Sequence, residues 1–114
     1  MFLLNAFSIN MLQDFPATVK VEEISKEYAQ EQLLEVEVSN LIGHPDTDRI
    51  VRKELDISLP EGKRETVKLF SGEWAVVAQY IGPRLEEGAT QLPEGATSLP
   101  EGAEIKYFLV FIDS

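Results

Sequence analysis

A chain of 114 residues is one domain by size, and roughly two-thirds of its unfolded surface can be buried without covalent staples. It has no cysteine, which excludes a disulfide framework, a thiolate nucleophile and a cysteine-built zinc site, and its single histidine argues against a histidine-rich metal centre within one subunit. Twenty acids against ten bases give a net charge of −10, which disfavours long DNA or RNA as a partner but leaves room for a short nucleotide in a locally positive pocket.

The opening Met1-Phe2-Leu3-Leu4-Asn5 lacks a basic segment, and its apolar run is too short for a signal peptide. No run approaches the roughly eighteen apolar residues of a membrane span, so no membrane partner is expected and the expected location is the cytoplasm. Phe2-Leu3-Leu4 reads as a short buried strand. Ser8 can N-cap a short helix through Ile9 to Leu12, stopped by Pro16. Thr18 to Glu22 alternates with period two as a half-buried strand, and Ser25 opens a helix that runs to Leu34. Leu34, Val36 and Val38 alternate with polar residues as in a strand, until Asn40-Leu41-Ile42-Gly43-His44 breaks the pattern.

Asp46 is the expected N-cap of a helix from Thr47 to Leu55. After a Pro-Glu-Gly turn at 60–62, Thr66 to Phe70 and Trp74 to Ile81 read as a hairpin joined by Ser71-Gly72-Glu73. Three seven-residue units beginning at Leu85, Leu92 and Leu99 form a repeat over 85–105, whose prolines and glycines exclude a coiled coil and suit successive turns. Ile105 to Ile112 is almost continuously apolar, as a central strand covered on both faces would be. The expected fold is α/β, with a mixed, mostly antiparallel sheet of about five strands and flanking helices.

Three places could carry chemistry. His44, in a loop just before a helix start, reads either as a surface histidine or as a general acid or base near neutral pH. Arg84, at the end of an apolar strand and followed by Glu86 and Glu87, reads either as a surface ion pair or as a phosphate grip oriented by a carboxylate. Asn5, Ser8 and Asn10 cluster where a strand gives way to a helix. Capping explains Ser8, and recognition of hydroxyls or base edges would employ all three.

Together these segments resemble a known family. Leu4-Asn5-Ala6-Phe7-Ser8-Ile9-Asn10-Met11-Leu12, Phe15-Pro16, Ile42-Gly43-His44 and Arg84-Leu85-Glu86-Glu87-Gly88 are similar, in order and spacing, to the viral type III anti-CRISPR ring nucleases, and the likeness covers most of the chain. The resemblance implies a homodimer that cleaves cyclic tetra-adenylate to linear di-adenylate with no metal or other cofactor. It puts His44 on the catalytic histidine, Arg84 and Glu87 on the supporting arginine and glutamate, and Asn5, Ser8 and Gln79 on ligand-contacting positions, with Arg64 on a further basic position. A binder of cyclic oligoadenylate that does not cut it, and an interaction module with an acidic surface, are the alternatives. The chain departs from the family in three places. Gln79 aligns only with one extra residue before Arg84, Pro45 follows His44 where an acidic or small residue stands in that family, and the repeat replaces a helical stretch.

Overall fold

A computed structural model describes residues 1–82 and 102–113. In chain order the elements are β1 (Phe2–Leu4), a 3-10 turn (Ile9–Met11), β2 (Thr18–Ile24), α1 (Lys26–Leu34), β3 (Ser39–Asn40), α2 (Pro45–Leu55), β4 (Trp74–Ile81) and β5 (Glu104–Asp113). The strands form one sheet in the order β2-β5-β4-β1-β3.

The sheet is mixed rather than mostly antiparallel. β5 runs antiparallel to β2 and β4, whereas β1 runs parallel to both β4 and β3. Parallel neighbours need long crossovers. β2 with α1 supplies the one between β1 and β3, and α2 lies within the one between β3 and β4. The helices are therefore crossover elements, and this makes half of the strand pairs parallel.

Alternation sends each strand's side chains to two separate cores. Leu3, Val76, Ala78, Ile105, Tyr107 and Leu109 face Ala29 and Leu33 of α1 and Ile50, Val51 and Leu55 of α2. Leu4, Ala75, Val77, Val110 and Ile112 face the other way, onto Val67 and Leu69 and the partly buried Phe7, Met11 and Leu12. β5 is thus buried on both faces, as its near-continuous apolar run predicts.

The expected caps at Ser8 and Ser25 form: Ser8 Oγ accepts from the Asn10 N–H at 3.3 Å and Ser25 Oγ from the Tyr28 N–H at 3.0 Å. Three expectations are corrected. The alternation from Leu34 to Val38 forms no strand: Leu34 ends α1, Leu34 and Val36 stay exposed, and the two-residue β3 begins only at Ser39. Thr66 to Phe70 is not a hairpin strand. Both edges of β4 are already taken by β5 and β1, so this segment crosses instead to the loop after the 3-10 turn, through a single parallel bridge between Leu12 and Leu69. Helix α2 begins two residues earlier than expected, with Pro45 in its first turn and His44, not Asp46, as N-cap. Proline suits that position because its missing N–H would have no helical partner and its φ is already helical. Among the described residues, no helix is long and apolar enough to cross a membrane.

Candidate functional site

The three parallel strands end on the same side of the sheet, and in open α/β sheets ligands settle in the crevice outside such carboxyl ends. There the connections after β1 and β3 and the loop after α2 meet around a cleft of about 460 Å³. Asn5 and Ser8 line it from the first connection, Gly43 and His44 from the second, and Arg64 and Glu65 from the third. Four predicted site residues, distant in sequence, share one cavity.

Local packing holds these walls together. Asn5 Oδ1 accepts a long hydrogen bond from the Gly43 N–H at 3.5 Å, which leaves the Asn5 amide nitrogen as a donor. A Cβ on Gly43 would lie 3.2 Å from Arg64 Cγ, so the arginine stem rests on bare backbone beside His44. The Arg64 residue is exposed, and its guanidinium makes no ion pair among the described residues. Its charge is therefore available to an anion in the cleft.

His44 is partly buried and engages its own helix. Its Nδ1 lies 3.3 Å from the Thr47 backbone nitrogen and 3.3 Å from Thr47 Oγ1. A backbone N–H can only donate, so in the capping arrangement Nδ1 is the acceptor and the ring proton sits on Nε2. Nε2 is then the nitrogen free to meet a ligand.

Behind this wall lies a polar network that the sequence reading missed. Asp48, 2% exposed, accepts from Asn40 Nδ2 at 2.7 Å, from the Gly62 N–H at 3.0 Å and from Arg52 Nε at 3.2 Å. Asn40, also buried, donates to the Pro60 carbonyl at 2.8 Å and accepts from the Ile42 N–H at 3.2 Å. One carboxylate thereby ties the end of β3, the start of α2 and the loop that carries Arg64. Gly62 is obligatory there, because a Cβ would collide with the Ile42 carbonyl and approach Asp48 Cγ to 2.9 Å. The available signal was an Asn and an Asp eight residues apart around a helix start, with Pro-Glu-Gly following. Such a pattern is common in ordinary turns and caps, and only the fold shows that the parts meet.

The remaining predicted residues fare differently. Gln79 is exposed on β4, opposite Lys106 of β5 and on the same sheet face as Leu4, but it does not line the cleft. Arg84 and Glu87 lie outside the described residues, as do residues 85–101 of the repeat over 85–105. Among the described residues no group of three or more acidic, histidine or cysteine side chains is arranged to hold a metal ion.

Comparison with known proteins follows the same outline. B116 of Sulfolobus turreted icosahedral virus is 30% identical, superposes with a TM-score of 0.69 and is matched over 96% of this chain and 97% of its own. No curated protein matches. The family model described as STIV B116-like matches residues 1–106, and the chain belongs to that STIV B116-like family.

Proposed function

We propose that this protein is a ring nuclease that cleaves cyclic tetra-adenylate to linear di-adenylate without a metal ion, and so switches off type III CRISPR signalling. The observation that carries the reading is the convergence of Asn5, Ser8, His44 and Arg64 on one cleft. These residues come from three separate parts of the chain, and each falls on a position that the family resemblance assigns to the catalytic histidine or to ligand contact. A family that resembles a viral protein suits an agent acting against host defence in the host cytoplasm.

The chemistry needs little from the protein beyond placement and charge. A ribose 2′-oxygen of the substrate attacks the adjacent phosphorus, its proton leaves to solvent, and the bond from phosphorus to the 5′-oxygen breaks. A 2′,3′-cyclic phosphate forms and the 5′-oxygen takes up a proton. His44 in its doubly protonated form supplies that proton from Nε2, and general acid catalysis of this kind contributes roughly 10²- to 10⁴-fold. Arg64 draws the phosphates into the cleft, Arg84 stabilises the crowded phosphate, and Glu87 holds its partner in place. Asn5 and Ser8 read ribose or base edges, and Gln79 joins them if ligand or a second subunit extends the cleft along the sheet. A homodimer would set two His44 residues against opposite sides of a ring with its own symmetry, and two cuts would give two equal halves.

One observation favours a second reading, a protein that binds the ring without cutting it. In the capping arrangement His44 Nδ1 is occupied as an acceptor, and the neutral ring that results is a poor acid. Incubation with labelled cyclic tetra-adenylate under excess chelator, beside His44→Ala, separates the two. Conversion to di-adenylate by the wild type alone supports the nuclease. Tight binding without conversion supports the binder, and loss of activity with chelator would overturn the metal-free mechanism.

A further inference from the structure

His44 has two duties that compete for one atom. As N-cap of α2 its Nδ1 must accept a hydrogen bond, and as an acid the ring must carry a proton on both nitrogens, which turns Nδ1 into a donor. The Thr47 backbone N–H, 3.3 Å away, suits only the first state. Left without another partner, the Nδ1 proton would point at a donor across the helix start.

We infer that Thr47 is a positioning residue, whose hydroxyl lets the capping histidine hold its second proton without leaving the helix. Thr47 Oγ1 lies 3.3 Å from Nδ1 and can either donate or accept, so rotation of one hydroxyl serves both states. With the neutral ring it donates to Nδ1 alongside the backbone N–H. With the doubly protonated ring it accepts the Nδ1 proton. Nε2 keeps its place through the exchange, which is what a proton donor aimed at a fixed leaving oxygen requires. Thr47 is 5% exposed and does not line the cleft, so it acts through His44 and not on the ligand.

The charged surroundings leave this hydroxyl a distinct task. The first connection brings no charged group to the cleft, and the third brings Arg64 and Glu65. On the other side of Gly43 a small hollow is flanked by Asp48, Arg49, Arg52 and Glu61. Asp48 is engaged with Asn40, Gly62 and Arg52, while Asp46 is paired with Arg49 at 3.0 Å. Among the described residues, no carboxylate forms an ion pair with the His44 ring.

The inference rests on the acid role proposed for His44, so its test has one arm that needs no substrate. Because the chain has one histidine, the imidazole nitrogen resonances of ¹⁵N-labelled full-length protein report this ring alone. In acidified wild type the Nδ1 proton should give a slowly exchanging, hydrogen-bonded signal. Thr47→Val should lose that signal while circular dichroism shows the helix intact, and Thr47→Ser should keep it. In the second arm, Thr47→Val should lower kcat for cyclic tetra-adenylate about ten- to a hundredfold with KM unchanged, the scale of a lost hydrogen bond to a charged group, and Thr47→Ser should restore it. A Thr47→Val protein that keeps both the signal and the turnover overturns the inference, as does a loss that serine fails to rescue. If the wild type does not cleave the ring, the function proposed above fails, and the Nδ1 signal alone then decides whether Thr47 holds the proton.

Discussion

The two faces of the sheet are closed in different ways. One is sealed by α1 and α2, whose aliphatic side chains meet Leu3, Val76, Ala78 and β5 in a continuous core. Among the described residues, the other is covered by the connection after β1, with its short 3-10 turn, and by the segment around Val67 and Leu69. The cleft opens where that irregular cover meets the strand ends, yet the histidine in it is held by the first turn of a helix from the opposite face. Irregular chain thus lines most of the cleft, and the first turn of a helix holds His44 at its edge. Loops on a rigid scaffold commonly host function for this reason.

The sharpest way to break this arrangement is at its hinge between the faces. Asp48→Ala would leave Arg52 Nε, the Gly62 N–H and the Asn40 amide without their common acceptor. Removing one partner from such a buried charged cluster costs about 3 kcal/mol or more. Chemical denaturation should show that loss, and Asp48→Asn should recover part of it because one oxygen survives. A loss under 1 kcal/mol would mean that the three segments are held by packing alone.

The second effect tests the loop-covered face itself. Leu69→Ala empties a side chain that is 1% exposed and costs about 2–3 kcal/mol. Hydrogen exchange should place much of that loss in the cover, where Leu69 N–H donates to the Met11 carbonyl at 2.7 Å, before β4 and β5 begin to open. Uniform loosening of the whole sheet would show instead that the two faces unfold as one unit.

The contrast between faces also explains what could be read from the sequence. Strands β1, β2, β4 and β5, helix α1 and most of α2 were legible because periodicity and caps are local properties of the chain. Misread were the features that depend on which edge is already occupied. The apolar alternation of Thr66 to Phe70 is genuine, with Val67 and Leu69 buried, but a segment can face a core without pairing in a sheet. The parallel setting of β1 was equally hidden, since three residues fit either direction. At the cleft, His44, Asn5 and Ser8 stood out by residue type and local context, and Arg64 through the family resemblance alone. Asn40, Thr47, Asp48 and Gly62 did not, because each looks like an ordinary cap or turn residue until the fold brings them together.

A smaller effect sharpens the comparison from the helix side. Tyr107, on β5 beneath α2, donates from its hydroxyl to Glu54 Oε1 at 3.0 Å. Burial, together with the neighbouring Glu54 charge and hydrogen bond, pushes the hydroxyl well above the ordinary tyrosine range. Tyr107→Phe should cost about 1 kcal/mol near neutral pH. Because the folded-state value is raised, the hydroxyl's contribution is fully present below about pH 10 and is lost as pH rises past the unfolded value. Denaturation curves of the two proteins should therefore converge in strong alkali, and parallel curves throughout would show that the Tyr107 hydroxyl ionises equally in both states.

The smallest change in stability should come with a measurable change in the cleft. Gly43→Ala adds one methyl group 3.2 Å from Arg64 Cγ, at a position whose backbone does not need glycine's left-handed freedom. Arg64 is exposed and can swing aside, so the melting point should move little, within the roughly 0.5 kcal/mol typical of surface substitutions. Its guanidinium would nonetheless be displaced from the wall it shares with His44. If that charge gathers phosphates and His44 acts as proposed, affinity for cyclic tetra-adenylate should fall several-fold while the turnover of bound ring stays near wild type, because His44 itself is untouched. Raising the salt should shrink the difference between the two proteins, since screening weakens the part that Arg64 contributes. An affinity equal to wild type would place Arg64 outside the ligand's reach, and a fall in turnover at constant affinity would mean that the methyl group disturbs His44 itself.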